Sequence, residues 1–363
     1  MEEKNTLTPE EKPEEVMEEK KKKKRFPVWL RVLLSVIAVI LAGSIVLAGL
    51  LGGGAYIFIN NQLSKLERPD EGDDTIETVA PEDEFFEENE YQEGLEIKDP
   101  EDIQWAGDVN TLHAEGVTNI LLIGQDTRVE GAIGRSDSMM ILTINTVQKT
   151  LKVTSLMRDM YVQIPGYSDN RINAAYFFGG YELLQRTIEL NLGVKIDYYA
   201  EIDFFAFVKI IDILDGIYIN LNAQEAEYLR ALGHRTVEGR NRLDGEAALS
   251  YCQVRAIGNS DYERTERQRK TIASIYDRLK GTVTVPMILD LVDEIFPLIR
   301  TNMTNGQIMS LAMTVFTMNA SGVQSYRIPA NGTFTPMFVR GMAVLVPDLA
   351  ACRSYLREIL YGN

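Results

Sequence analysis

Residues 32–59 hold no charged side chain in 28 consecutive positions. About 20 apolar residues in a helix are enough to cross the hydrocarbon core of a bilayer. The stretch also exceeds the roughly 7–15 apolar residues of a cleavable signal peptide. An unbroken basic run, Lys20 to Arg25, precedes it, and Lys65 follows shortly after. That asymmetry puts the N-terminal tail in the cytoplasm and the rest of the chain outside. The expectation is a single-pass signal-anchor in the cell membrane, its basic flank resting on anionic headgroups, with the C-terminal domain on the extracytoplasmic side.

Charge divides the rest of the 363 residues. Residues 1–31 are polar, carry a net charge of +1 and read as a disordered cytoplasmic tail with a basic cluster. Residues 32–59 are the span. Residues 60–104 form an acidic extracytoplasmic spacer, with 17 acids against 2 bases over 67–102; such a segment repels itself and extends. Residues 105–363 are expected to be the catalytic domain, and from residue 103 on the net charge is only −3. A nucleic-acid partner is therefore not expected, because counterion release needs a cationic surface. Two cysteines, Cys252 and Cys352, rule out a disulfide-stapled scaffold. They can pair or stay as two buried thiols, and buried thiols are favoured. Two histidines, His113 and His234, make a histidine-dependent triad or zinc site a poor fit.

The C-terminal part alternates strand-like and helix-like segments. Residues 119–124 (NILLIG) form a short apolar run suited to a buried strand. Residues 138–147 and 151–156 read as two strands joined by a turn, 198–202 and 216–221 as further strands. Helices are expected over 174–192, 204–214, 246–252 with Asp244 as cap, 263–280 ending at a C′ glycine, Gly281, 307–318 and 348–360. This pattern predicts an α/β fold, a layered α-β-α domain with a mixed central sheet, preceded by one transmembrane helix.

Arginines and aspartates collect at strand ends, where ligands of open α/β sheets bind. The NILLIG strand runs into Asp126 and Arg128; Arg135 and Asp137 precede the next strand and, two apart on an extended backbone, should point the same way. Arg158 and Asp159 end the strand after that. On the helix over 263–280, Ile272, Ile275, Tyr276 and Leu279 form an apolar stripe. One turn back lies Gln268, with Arg264 and Arg269 on its shoulders and Arg267 further round. Several arginines, a few carboxylates and no histidine suit phosphoryl chemistry. Guanidinium forks bind phosphate oxygens in pairs, and carboxylates hold Mg²⁺, which neutralises phosphate charge. The GxxxxGK[ST] phosphate loop is absent, so nucleotide hydrolysis is not indicated.

The motifs NILLIGQDTR, GRSDSMMILTIN, SLMRDMYVQIPG, RINAAYFFGG, LDGEAALSYCQVR and DYERTERQR, in that order, resemble the LytR–CpsA–Psr family of bacterial cell-envelope phosphotransferases. The resemblance covers about residues 117–280 and, loosely, the C-terminal stretch. It implies transfer of a glycan phosphate from a polyprenyl-pyrophosphate carrier to a peptidoglycan acceptor. Asp126 and Asp137 would hold Mg²⁺, and either could assist deprotonation of the acceptor. Arg135, Arg158, Arg255, Arg264, Arg267 and Gln268 would clamp the pyrophosphate. Apolar residues near 174–178 would hold the prenyl tail. One departure is Gln253, where members often have arginine. Two alternatives remain: a non-catalytic binder of the same lipid acting as an envelope sensor or regulator, and a pyrophosphatase. Metal-binding carboxylates favour the enzyme over the sensor.

Overall fold

A computed structural model describes residues 94–362 other than 108, 127–134, 259 and 283–293, together with Ile57, Asn60, Asn61, Ser64 and Arg68. The expected cytoplasmic tail, nearly all of the expected span and most of the acidic segment lie outside the described residues. Among the described residues no helix is long and apolar enough to cross a membrane. The fold below is that of the unit Phe58–Asn363.

In chain order the strands are β1 (Glu96–Lys98), β2 (Val117–Asp126), β3 (Arg135–Asn145), β4 (Thr150–Leu156), β5 (Tyr161–Val162), β6 (Asn170–Arg171), β7 (Tyr198–Ile202), β8 (Ile217–Leu221), β9 (Gly239–Leu243), β10 (Arg300–Thr301), β11 (Val323–Ile328), β12 (Phe334–Val339) and β13 (Met342–Pro347). The α-helices are α1 (Ile172–Leu192), α2 (Phe204–Ile213), α3 (Ala223–Ala231), α4 (Gly245–Gln253), α5 (Ser260–Thr282), α6 (Asn305–Met318) and α7 (Leu349–Tyr361).

Six strands make the central sheet, in the order β10-β7-β2-β3-β4-β11. It is mixed: β2 runs parallel to β7 and β4 to β11, while β3 is antiparallel to both its neighbours. The unbroken apolar run in β2 has a simple cause: both its faces are covered. Leu121 and Ile123 join Met139, Ile141 and the buried residues of α1 and α7 in one core. Ile120 and Leu122 turn the other way, against Tyr276 of α5 and Leu311 and Val315 of α6. The layered α-β-α domain with a mixed sheet is thus what forms.

A smaller cluster joins α2, α3, α4 and the hairpin β8–β9, around Ile211, Ile219, Leu229 and Tyr251. Its helix starts are fixed locally. Asp203 accepts from the Ala206 amide at 2.7 Å, Asp244 from the Ala247 amide at 2.9 Å, and Asn222 with Glu225 forms a capping box.

Two expectations are corrected. The helix expected over 263–280 runs from Ser260 to Thr282, so Gly281 lies in its last turn rather than beyond it. The folded part begins before residue 105, since Glu96–Lys98 pairs with β12. Earlier still, Asn305 donates to the Asn60 carbonyl at 2.9 Å, and Arg68 donates to the Met303 carbonyl at 2.9 Å. An acidic composition hid these contacts because main-chain pairing and two polar side chains carry them.

Candidate active site

The C-terminal ends of β2, β4, β7 and β11 and the start of β3 share one edge of the sheet. Asp126, the last residue of β2, pairs across the ladder with Arg135, the first of β3. The register shifts between Gly124 and Gln125, so that Gly124 pairs with Ser138 and Gln125 with Ser136. Asp137 is the extra residue of this bulge. The three predicted residues therefore sit on two adjacent strand ends.

Arg158 follows β4 on the same edge. Its guanidinium lies 3.6 Å from Asp159 and 3.6 Å from Asp261, which opens α5. Asp261 in turn pairs with Arg264 at 3.2 Å, and Asp159 with Arg171 at 3.6 Å. Three arginines and two aspartates thus interleave, leaving the network cationic. Burial raises the Asp159 carboxyl above its ordinary range, against the pull of Arg158 and Arg171.

Arg264 is only 3% exposed and links this network to a cavity of about 580 Å³. The cavity lies between the β2–β3–β7 face and helices α2, α4 and α5. Leu122, Met140, Ile202, Phe207, Leu249 and Ile272 line its apolar part; Arg255, Arg264, Gln253, Gln268 and Ser138 supply polar groups, and Asp203, the α2 cap, also lines it. Ser138 donates to Gln268 at 3.3 Å. An apolar pocket with a few polar groups in its wall is what an amphiphilic ligand requires.

The structure thus brings Arg255, Arg264 and Gln268 to the cavity and links Arg158 to it through Asp261. Arg267 goes elsewhere. It is 1% exposed, donates to the Val254 carbonyl at 2.9 Å, and pairs with Glu225 at 3.4 Å and Glu263 at 3.3 Å. Its place in the pyrophosphate clamp is corrected: it ties α5 to α3 and to the segment after α4. The prenyl pocket expected near 174–178 is corrected too. Ala174, Ala175, Tyr176 and Phe178 are fully buried in the α1 core, on the opposite face of the sheet from the cavity. Both cysteines are free and buried. Cys252 lines the cavity, and burial pushes its thiol up to about 11.

One group escaped the sequence reading. Gln125, next to Asp126, donates to Tyr176 and to Glu201, and Tyr176 donates to Glu201 at 2.7 Å. Arg300 on β10 reaches the same carboxylate at 3.2 Å. Glu201 is 4% exposed, and burial raises its carboxyl. A glutamine directly before a strand-end aspartate was the only signal for this cluster, and its partners come from distant segments.

Comparison with known proteins bears on this site. The model of the LytR_cpsA_psr family matches residues 84–352. The "Regulatory protein MsrR" of Staphylococcus aureus (strain COL) is 30% identical over 251 residues, 67% of this chain and 75% of that protein. The "Polyisoprenyl-teichoic acid--peptidoglycan teichoic acid transferase TagU" of Enterococcus faecalis (strain ATCC 700802 / V583) is 32% identical over 199 residues, 54% of this chain and 64% of that one. A solved structure described as "TagT bound to LI-WTA" superposes with a TM-score of 0.56 at 25% identity, covering 68% of this chain and 92% of its own.

Proposed function

The chain belongs to the LytR–CpsA–Psr family, and on that premise we propose that it is a membrane-anchored phosphotransferase. It moves a glycopolymer phosphate from a polyprenyl-pyrophosphate carrier to a peptidoglycan hydroxyl. One observation carries the reading: an apolar cavity of about 580 Å³ ends in Arg255, Arg264 and Gln268 and continues into the Arg158–Asp261 network. A greasy slot joined to several guanidinium groups matches a ligand with a hydrocarbon tail and a pyrophosphate head. The transferase name of TagU and the LI-WTA named in the TagT structure support it.

In this reaction the acceptor hydroxyl oxygen attacks the glycan-bearing phosphorus. A new phosphorus–oxygen bond forms, the bridging bond of the pyrophosphate breaks, and polyprenyl phosphate leaves with the electron pair. Arg158, Arg255 and Arg264 hold the pyrophosphate oxygens and stabilise the charge that grows on the leaving phosphate. Arg135, at the start of β3, adds a fourth cation at that edge. Asp126 or Asp137 takes the acceptor proton. Two carboxylates on adjacent strand ends also fit Mg²⁺, which needs few protein ligands when phosphates supply others. Asp126 and Asp137 would hold it, and when bound it neutralises phosphate charge. The domain stands on the outer side of the cell membrane, anchored through residues 32–59. Gln253 lines the cavity; it offers a donor without a charge, so pyrophosphate affinity is set by the arginines.

The name of MsrR favours a second reading, a regulator that binds the lipid without transfer. Incubating the full chain with a polyprenyl-pyrophosphate–linked glycan, peptidoglycan and Mg²⁺ separates the possibilities. The transferase yields glycan-bearing peptidoglycan and polyprenyl phosphate in equal amounts. Donor bound but unchanged would leave the regulator, and free glycan phosphate in solution would indicate a pyrophosphatase.

A further inference from the structure

The buried and half-buried arginines at this edge and on α5 fall into two groups. Arg158, Arg171, Arg264 and Arg267 each have a carboxylate within 4 Å. Arg269 and Arg327 have none among the described residues. Arg269 is 7% exposed; its Nε donates to Ser325 at 2.7 Å, and its Nη1 is buried without a partner among the described residues. Arg327 stacks on the Tyr262 ring, 4.4 Å from its centroid, and donates to the Pro329 carbonyl at 3.2 Å and to Asn331. Ser325 and Arg327, two apart on β11, share a face of that strand. The acid on the next turn of α5, Glu266, is held by Lys270 at 2.8 Å.

Buried charges are ordinarily paired. Arg269 keeps an unused buried donor, Nη1, and neither it nor Arg327 has a carboxylate at ion-pair distance among the described residues. Burial lowers Arg269 to about 10; the Glu266 carboxylate opposes this shift and the Arg327 charge adds to it. Ser155, which pairs with Arg327 across β4 and β11, also has a buried hydroxyl without a partner among the described residues. All of this lies on the site edge. Asp261, which bridges Arg158 and Arg264, is followed directly by Tyr262, whose ring carries Arg327.

We propose that Arg269, Arg327 and Tyr262 form a second anion-binding subsite, separated from the pyrophosphate clamp by the Asp261–Tyr262 step. It takes an oxyanion of the substrates other than the pyrophosphate: a phosphate or carboxylate carried by the donor glycan or by the acceptor. Arg327 is the partly exposed contact, and Arg269 behind it sets the charge. The subsite would make the enzyme select charged polymers. This rests on the phosphotransferase reading above.

The test uses the full chain in micelles, with donors that share lipid and pyrophosphate but carry a phosphorylated or a neutral glycan. Acceptors with free or amidated carboxylates complete the set. Arg327→Gln is expected to raise KM for the charged donor, or for the charged acceptor, about tenfold more than for its neutral counterpart. Whichever charged partner responds identifies the source of the anion. Arg327→Lys recovers part of the discrimination. An equal change on charged and neutral substrates, or no change, overturns the subsite. If no donor is turned over, the phosphotransferase reading fails instead, and calorimetry decides the subsite separately. Tripolyphosphate titrated into the Arg158→Ala protein should bind, with Kd rising about tenfold when Arg327→Gln is added; an unchanged Kd overturns it.

Discussion

Arg264 and Arg267 stand three residues apart on one helix and serve different ends. Arg264 reaches the cavity; Arg267 is enclosed by Glu225, Glu263 and the Val254 carbonyl. Removing one member of a buried ion pair leaves the other charge unpaired, at a cost of about 3–5 kcal/mol. Arg267→Ala should therefore lower stability by roughly that amount in urea melts. Arg264→Ala should weaken donor binding. A variant pair with the opposite pattern would reverse these assignments. In the same way Arg158→Ala or Asp137→Ala should abolish transfer while circular dichroism shows the domain still folded. Full activity in both would remove the proposed site. The sequence placed Arg264 and Gln268 on the side of α5 that meets the cavity, because the apolar stripe of Ile272 and Ile275 marks that side. It set Arg267 further round the helix but not its role, because the deciding partner, Glu225, lies on α3, some forty residues earlier.

At the scale of elements, the cavity depends on how closely α2 and α4 pack. A Cβ on Gly245, the first residue of α4, would stand 2.4 Å from the Val208 carbonyl oxygen of α2. Backbone cannot yield as a side chain does, so Gly245→Ala should cost about 1–3 kcal/mol and impair lipid binding as well; a wild-type melting curve would show that the two helices have slack. Glu201 couples β7, β2, α1 and β10. Its folded carboxyl is raised, so in the window above the unfolded value of about 4.3 the native state holds the proton more tightly. The stability it contributes is full below that value and is lost as pH rises through the folded value. Glu201→Gln should flatten this fall in the urea midpoint, and an unchanged slope would assign it to another group. β2 was legible by its apolar run and α4 by its cap Asp244. The strands β9, β11, β12 and β13 were not. β9 reads GRNRL and β11 VQSYRI, so no apolar run marks them, Thr335 and Pro336 interrupt β12, and β13, MAVLVP, is an apolar run that the sequence reading passed over.

For the whole molecule, the charge map and the fold point the same way. The net charge of −16 comes almost entirely from residues 67–102, while the site edge gathers arginines. The chain therefore presents cations to its substrate despite its acidic total. Composition located the folded part but set its start too late, since β1 is fixed by main-chain pairing to β12, over two hundred residues on. The central claim is that the cavity and the arginine network bind one ligand, tail and head together. Its most direct test is the mass of the intact protein purified from membranes in mild detergent. The wild type should carry a polyprenyl phosphate or pyrophosphate, and both Met140→Trp, which fills the cavity, and Arg264→Ala, which removes the link, should lose it. Lipid retained in full by both variants would contradict the account.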